Sequence, residues 1–288
     1  MKQVLIISGK GGTGKTTLTA ALASLYKNIA VADCDVDAPD LHLLLHPEIK
    51  EKHVFQGGKL AVINEDECTG CGRCREVCQF SAVSIDFNID SISCEGCCVC
   101  AWNCPVNAIK MIQKESGESY VSKVICGEMV HALLKPGEEN SGKLVAEVKK
   151  KARALTEEKS LDLLLVDGPP GIGCPVIASL SGADLALIVT EPTKSGIHDM
   201  ERVIKVADHF NVPVKVVINK FDLNTENTEI IIKYLNEKGI EVLEKIIFSK
   251  KFTQAIKQGE TIIEFDPDCE ESRSIKRIKG KLEEYNIN

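Results

Sequence analysis

At 288 residues, 44% hydrophobic and 27% charged, the chain has the length and composition of a globular protein with room for a full core and a small extra domain. Its formal net charge of −7 argues against nucleic acid or an anionic membrane as partner, since either calls for a basic face. No apolar run approaches the roughly 20 residues that span a bilayer, and the N-terminus enters an apolar strand with no leader pattern, so a cytoplasmic protein is expected.

The first predicted element is the strand VLIIS, followed by the loop GKGGTGKTT and an alanine- and leucine-rich helix, LTAALASLY. The loop satisfies G-x4-G-K-[ST] with Gly9, Gly14, Lys15 and Thr16, and carries Lys10, Gly11, Gly12, Thr13 and Thr17 around them. Its backbone N–H groups would face phosphates at the positive end of the helix. Lys15 would bridge the β- and γ-phosphates and Thr16 would give its hydroxyl to Mg²⁺. A second buried strand, IAVAD, ends in Asp33, with Asp35 and Asp37 just beyond, and LHLLLHPE reads as a helix.

Thirteen cysteines point to metal ligation, because a secreted disulfide scaffold would be short and loop-rich. CTGCGRCREVC (68–78) and CEGCCVCAWNCP (94–105) repeat C-x2-C-x2-C-x3-C about 26 residues apart. This is the bacterial ferredoxin run, whose fourth cysteine ligates the other cluster when the run occurs twice. Cys68, Cys71, Cys74 and Cys104 would then hold one 4Fe–4S cluster, and Cys94, Cys97, Cys100 and Cys78 the other. SAVSID and NAIKMI read as strands after the two runs. Gln79 stands where proline is usual, and Cys98 is an extra thiol. Two zinc sites are the alternative, since paired C-x2-C units also bind zinc. Residues 58–115 resemble the eight-cysteine, two-cluster ferredoxins; two such clusters would take the net charge from −7 to about −11.

Beyond this block come a strand at KVIC and a second match to G-x4-G-K, GEENSGKL. The second match is a decoy: Leu144 replaces the hydroxyl, Glu138 and Glu139 would repel phosphate, and Ser141 reads as the start of a helix. LDLLLVDGPPGIG is an apolar strand ending in Asp167, placed to hold Mg²⁺ through water, with a Pro-Pro-Gly turn and Cys174 after it. LALIVT, VKVVIN and EKIIF are further buried strands; Asn219 ends the second, and Asn219-Lys220-Phe221-Asp222 fits the N-K-x-D guanine pattern. The last helix places Ile275, Ile278, Leu282 and Tyr285 on one face, read as docked core. Cys34 and Cys269 are expected to be packed, Cys126 to end a buried strand, and His131 is a weak ligand candidate. Strands apolar on both faces and linked by helices predict an α/β fold, a doubly wound and mainly parallel sheet. Its ligand belongs at the carboxyl ends of the strands, and the cysteine block forms an inserted α+β ferredoxin-like domain.

Lys10, directly after the first glycine of the loop, makes GKGGTGKTT resemble the deviant Walker A of the MinD-like ATPases, which include partition proteins and the nitrogenase iron protein. The aspartates after IAVAD, the Asp167 strand and Asn219 extend the resemblance over nearly all of the chain outside 58–115, and it is most similar to the ferredoxin-containing branch. The resemblance implies a P-loop ATPase domain from 1–57 and 116–288, with residues 58–115 inserted. It implies ATP and Mg²⁺ as ligands and a homodimer in which Lys10 reaches the partner's nucleotide. Asp35 would orient or deprotonate the attacking water, and Asn219 would contact the base. The implied function is nucleotide-driven electron transfer or metallocofactor assembly with a redox or assembly protein as partner. A scaffold ATPase with structural clusters and a GTP-using variant are the alternatives. Cys174 matches the spacing of a cysteine that holds a shared cluster in the nitrogenase iron protein; a buried, inert thiol is expected here, unless Cys126 reaches it as a second ligand.

Overall fold

A computed structural model describes residues 2–138 and 141–285, so Glu139 of the decoy loop lies outside the described residues. In chain order the elements are β1 (Lys2–Ser8), α1 (Lys15–Ala23), β2 (Ile29–Asp33), α2 (His42–Leu45), β3 (Glu48–Ile63), α3 (Arg73–Val77), α4 (Val99–Trp102), β4 (Ile109–Val124) and β5 (Gly127–Leu134). There follow α5 (Ser141–Glu158), β6 (Leu163–Pro170), α6 (Cys174–Leu180), β7 (Leu185–Thr190), α7 (Lys194–His209), β8 (Val214–Asn219), α8 (Thr225–Glu237), β9 (Val242–Ile246), α9 (Lys250–Gln258), α10 (Ile262–Phe265) and α11 (Glu270–Glu284).

The strands form a nine-stranded sheet in the order β3-β4-β5-β2-β6-β1-β7-β8-β9. From β5 to β9 every neighbouring pair is parallel. β2 and β7 bury every residue, as strands covered on both faces must. Parallel pairing sends the carboxyl ends of β1, β2, β6, β7 and β8 to one edge, where Ser8, Asp33, Asp167, Thr190 and Asn219 stand. Ile275, Ile278 and Leu282 of α11 are buried in the main core, with Tyr285 packed against it, so this helix face is docked. Among the described residues no helix is long and apolar enough to cross a membrane.

The chain divides into two compact units. One comprises Met1–Lys52, Ser119–Leu133 and Ser141–Asn288; the other comprises His53–Glu118 and Leu134–Asn140 and contains the whole cysteine block. The second unit has a small core of Ala61, Cys74, Val83 and Ile109, against which Cys78, Cys94, Cys100 and Cys104 pack. Its backbone repeats along with its sequence. Left-handed residues recur in pairs: Gly70 and Gly96 (φ 66° and 61°), Gly72 and Cys98 (77° and 69°), Ser81 and Asn107 (both 53°). Cys98 therefore occupies the N-cap position that glycine fills before α3.

Several elements differ from the sequence expectation. LHLLLHPE yields only the four-residue α2, because Pro47 follows and His46 turns left-handed (φ 45°). SAVSID forms a single bridge, Val83 to Ile89, rather than a strand. KVIC spans the end of β4 and a turn: Ile125 is 79% exposed while Cys126 is buried in the core and its carbonyl accepts from Ile29 N–H. The strand that pairs with β2 is instead β5, GEMVHALL, whose Glu128 and His131 interrupt its apolar pattern. EKIIF is displaced, since β9 ends at Ile246 and Ile247 and Phe248 leave the sheet.

Candidate functional site

β1 delivers residues 9–17 to the carboxyl edge of the sheet. Gly14 sits before α1 with φ 91°, and a side chain there would also strike Asn219 Nδ2 at 2.5 Å. Gly9 answers a different need: a Cβ would lie 2.5 Å from the backbone of Asp199, so α7 packs directly on the loop. Asn219 Nδ2 donates to the Thr13 carbonyl (2.8 Å) and Lys220 Nζ to the Gly12 carbonyl (3.1 Å), so the end of β8 clamps the loop from beneath.

The lysine of this loop rests in a cage of acids. Lys15 Nζ lies 3.1 Å from Asp35 Oδ2 and 3.7 Å from Asp167 Oδ2. Thr16 Oγ1 donates to Asp167 Oδ2 (2.7 Å) and Thr19 Oγ1 to Asp167 Oδ1 (2.9 Å). Asp33, in register with Asp167 across β2 and β6, accepts from the Asp35 and Leu41 N–H groups and so shapes the loop that carries Asp35. Burial, reinforced by Asp167, pushes Asp33 well above the ordinary carboxylate range. Burial also raises Asp167, against the opposing pull of Lys15 and the two hydroxyls. Lys15 is desolvated, which disfavours its charge, yet Asp167 and Asp35 outweigh this and hold it above its usual value. Three carboxyls thus face one cation. This gathering of carboxyl oxygens beside the Thr16 hydroxyl is the kind of donor set a small divalent cation such as Mg²⁺ takes, and a cation there would favour the charged carboxylates that burial disfavours.

Beside the loop opens a cavity of about 290 Å³, walled by Gly12, Gly14, Thr17 and Asn219 on one side and by Phe248, Phe252 and Ile256 on the other. Its mixture of backbone, amide and aromatic surface suits a planar heteroaromatic ring. Ile247 and Phe248, expected as strand, line it instead. Of the guanine pattern, Asp222 already accepts from Phe248 N–H through Oδ1 (2.6 Å).

Glu191, at the end of β7, was not marked by the sequence. Its Oε1 lies 2.5 Å from Lys10 Nζ and its Oε2 3.1 Å from Lys220 Nζ. Burial works against its charge, but the hydrogen bonds from Lys10 and Lys220 prevail and hold its carboxyl below the ordinary range. Its place at the carboxyl end of a buried parallel strand was the available signal.

In the second unit the eight cysteines fall into two cavities. One is lined by Cys68, Cys71, Cys74 and Cys104 with Ile63, Phe87 and Ile109. The other is lined by Cys78, Cys94, Cys97 and Cys100, with Cys98 also present and Ala61, Val83 and Met111 around them. Burial raises Cys74 and Cys100, and the neighbouring cysteines add to it. The Ala108 N–H donates to Cys104 Sγ at 3.3 Å, and the Cys98 thiol donates to the Gly96 carbonyl at 3.4 Å. Among the described residues no three His, Cys, Asp or Glu side chains converge tightly enough to hold a single metal ion.

Cys174, expected to be buried, is exposed at the start of α6. Cys126 is buried before the start of β5, whereas Cys174 follows the carboxyl end of β6, so the sheet separates the two thiols. Cys34 and Cys269 are buried, as expected. Lys149, itself buried, reaches from α5 to donate to the carbonyls of Ala178, Ser179 and Ser181 and so closes the end of α6; burial lowers it to about 8. His131 is buried in a stack with Tyr120 (4.9 Å between ring centroids) and His42 (6.3 Å). Its Nδ1 meets no hydrogen-bond partner among the described residues.

Residues 4–262 match the CobQ/CobB/MinD/ParA nucleotide binding domain. An uncharacterized protein of Methanocaldococcus jannaschii is 37% identical over 98% of this chain and 97% of its own length. An iron-sulfur cluster carrier protein of the same organism is 24% identical over 98% of this chain and 84% of its own length. The cell division ATPase MinD of Pyrococcus furiosus has the same fold, with a TM-score of 0.60 at 17% identity, covering 98% of both chains. The matched span takes in the glycine loop, Asp33, Asp167 and the parallel strands that carry them, and the chain belongs to the CobQ/CobB/MinD/ParA nucleotide-binding family.

Proposed function

We propose that the chain is a Mg²⁺-dependent ATPase, homodimeric through its nucleotide face, that couples ATP-driven switching to electron transfer or to iron-sulfur and metallocofactor assembly. The observation that carries this reading is the sorting of eight cysteines into two apolar cavities, each lined by three from one run and the fourth from the other. That interleaving is what two 4Fe–4S clusters require. A zinc site needs only four ligands per ion and does not call for this crossing of the fourth cysteine between runs, so the interleaving favours the two cubanes. When bound, the clusters supply one-electron redox chemistry. The amide donor on Cys104 and the apolar walls are the means by which this chain would tune it.

At the sheet edge Lys15 would exchange Asp35 and Asp167 for the phosphates, and Thr16 and Asp167 are the residues that would hold Mg²⁺. Asp35, freed from Lys15, orients the attacking water and accepts its proton. Asn219 keeps the loop in place through Thr13 and borders the base cavity. ATP is favoured over GTP because the Asp222 carboxylate is engaged by the chain's own Phe248 N–H. The 24% identity with an iron-sulfur cluster carrier protein supports the cluster-handling side of the reading.

The test is ATP turnover of anaerobically purified protein with its clusters reduced and then oxidised. A rate that changes with redox state is expected. Equal rates, with equal capture of protein partners, would leave the clusters a structural role on a scaffold ATPase.

A further inference from the structure

The family resemblance implies that Lys10 reaches the partner's nucleotide in the proposed dimer, yet within one chain it is fully engaged. Its Nζ meets Glu191 Oε1 at 2.5 Å, Ser195 Oγ at 3.1 Å and Thr193 Oγ1 at 3.2 Å. An ammonium has three N–H donors, so none remains for a phosphate. The anion that holds it is itself fixed. Glu191 ends its strand on a turn where Thr193 Oγ1 accepts from Gly196 N–H and Thr190 Oγ1 donates to the Gly196 carbonyl. The pair is only partly wet, with side-chain exposures of 26% for Lys10 and 14% for Glu191, so solvent screens it less than a surface pair.

Resting on the dimer proposed above, we infer that Glu191 is the counter-ion of Lys10 within the free subunit. It is a positioning residue that parks Lys10 until the phosphates of the partner subunit's nucleotide displace the carboxylate. The exchange is one of ionic partners, polyphosphate for carboxylate, with no covalent step. Lys220 makes it feasible: Glu191 Oε2 keeps Lys220 Nζ at 3.1 Å after Lys10 leaves, so its charge is not stranded in a half-buried site. Lys220 also donates to the Gly12 carbonyl, a contact that needs neither Lys10 nor Glu191. Glu191 therefore sets the threshold for pairing and keeps subunits apart until ATP-loaded copies meet.

The test is sedimentation of the full-length, cluster-loaded protein in Mg-ATP, reading the protein concentration at half-dimerisation. Glu191→Gln keeps shape and hydrogen bonding but removes the charge. It is expected to dimerise at roughly three- to tenfold lower concentration than wild type. The gap should close as salt rises, because salt weakens the ion pair that wild type must break. ADP affinity of the monomer should stay unchanged. Glu191→Asp, which keeps the charge at shorter reach, should fall between the two. Dimerisation of Glu191→Gln at equal or higher concentration would overturn the inference, as would loss of its ADP binding, which would make Glu191 a prop of the loop. Wild type that never dimerises with ATP, or Lys10→Ala that dimerises as wild type does, would remove the trans role of Lys10 and with it the reading beneath.

Discussion

At the carboxyl edge of the sheet, the charged groups meet partners within the chain: Lys15 rests on Asp35 and Asp167, and Lys10 on Glu191. In the second unit, eight cysteines line two cavities whose other walls are largely apolar side chains. The first region closes on its own ion pairs. The second is built from the proposed ligands themselves, since Cys74 lies in its small core and Cys78, Cys94, Cys100 and Cys104 pack against it. On the proposed reading its stability depends on the clusters the cavities would hold, as in small metal-centred units. The proposed function gives one chain a site that exchanges partners and a site that keeps them.

Separating the two regions by mutation gives the largest expected effect. Lys15→Ala removes the cation facing the γ-phosphate and should lower ATP turnover on the order of a thousandfold, with iron content unchanged. Loss of iron in that variant would show that the regions fold as one. Asp35→Ala should come next, with turnover down about a hundredfold while Mg-ATP binding persists and the dimer accumulates. Failure to bind nucleotide, measured by calorimetry, would make Asp35 structural instead.

Much of the first region could be read before folding, because a glycine loop between an apolar strand and a helix fixes its own neighbours. Six cysteine intervals, three in each run, did the same for the second. What escaped reading depended on contacts between distant segments. β5 hid behind Glu128 and His131, which its interior position does not exclude once the His131 ring is neutral. Glu191 and Lys220 are unremarkable in sequence and gain their role only where β7 and β8 end beside the loop. The expectation for Cys174 failed because a cysteine opening a helix after a glycine turn stands at the surface rather than in the sheet.

His131 is the exception to a region where charges find partners, and pH exposes it. Burial, then His42, lowers its pKa from 6.5 to about 4. As pH falls below 6.5 the unfolded chain takes up a proton that the folded chain refuses, so stability drops until about pH 4. Between pH 7 and pH 5 the loss should be about 2 kcal/mol. His131→Phe keeps an aromatic ring in the stack and should flatten that part of the pH profile in denaturant melts. An unchanged profile would place the titration elsewhere.

The smallest effect concerns the repeat inside the second unit. Cys98 sits at φ 69° where the first run has Gly72 at φ 77°. Cys98→Gly should relieve a left-handed side chain and stabilise the unit by about 1 kcal/mol, with full cluster content, read as a higher melting midpoint. Loss of iron would instead make Cys98 a ligand and break the equivalence of the two runs.

The central claim is that two interleaved cysteine sets hold two clusters on an ATPase. Anaerobic purification followed by iron, sulfide and zinc analysis addresses it most directly, with spectroscopy of the reduced protein to detect coupling between the centres. About eight iron and eight sulfide per chain, with a signal from two interacting clusters, is the predicted result. Bound zinc with little iron or sulfide would contradict it.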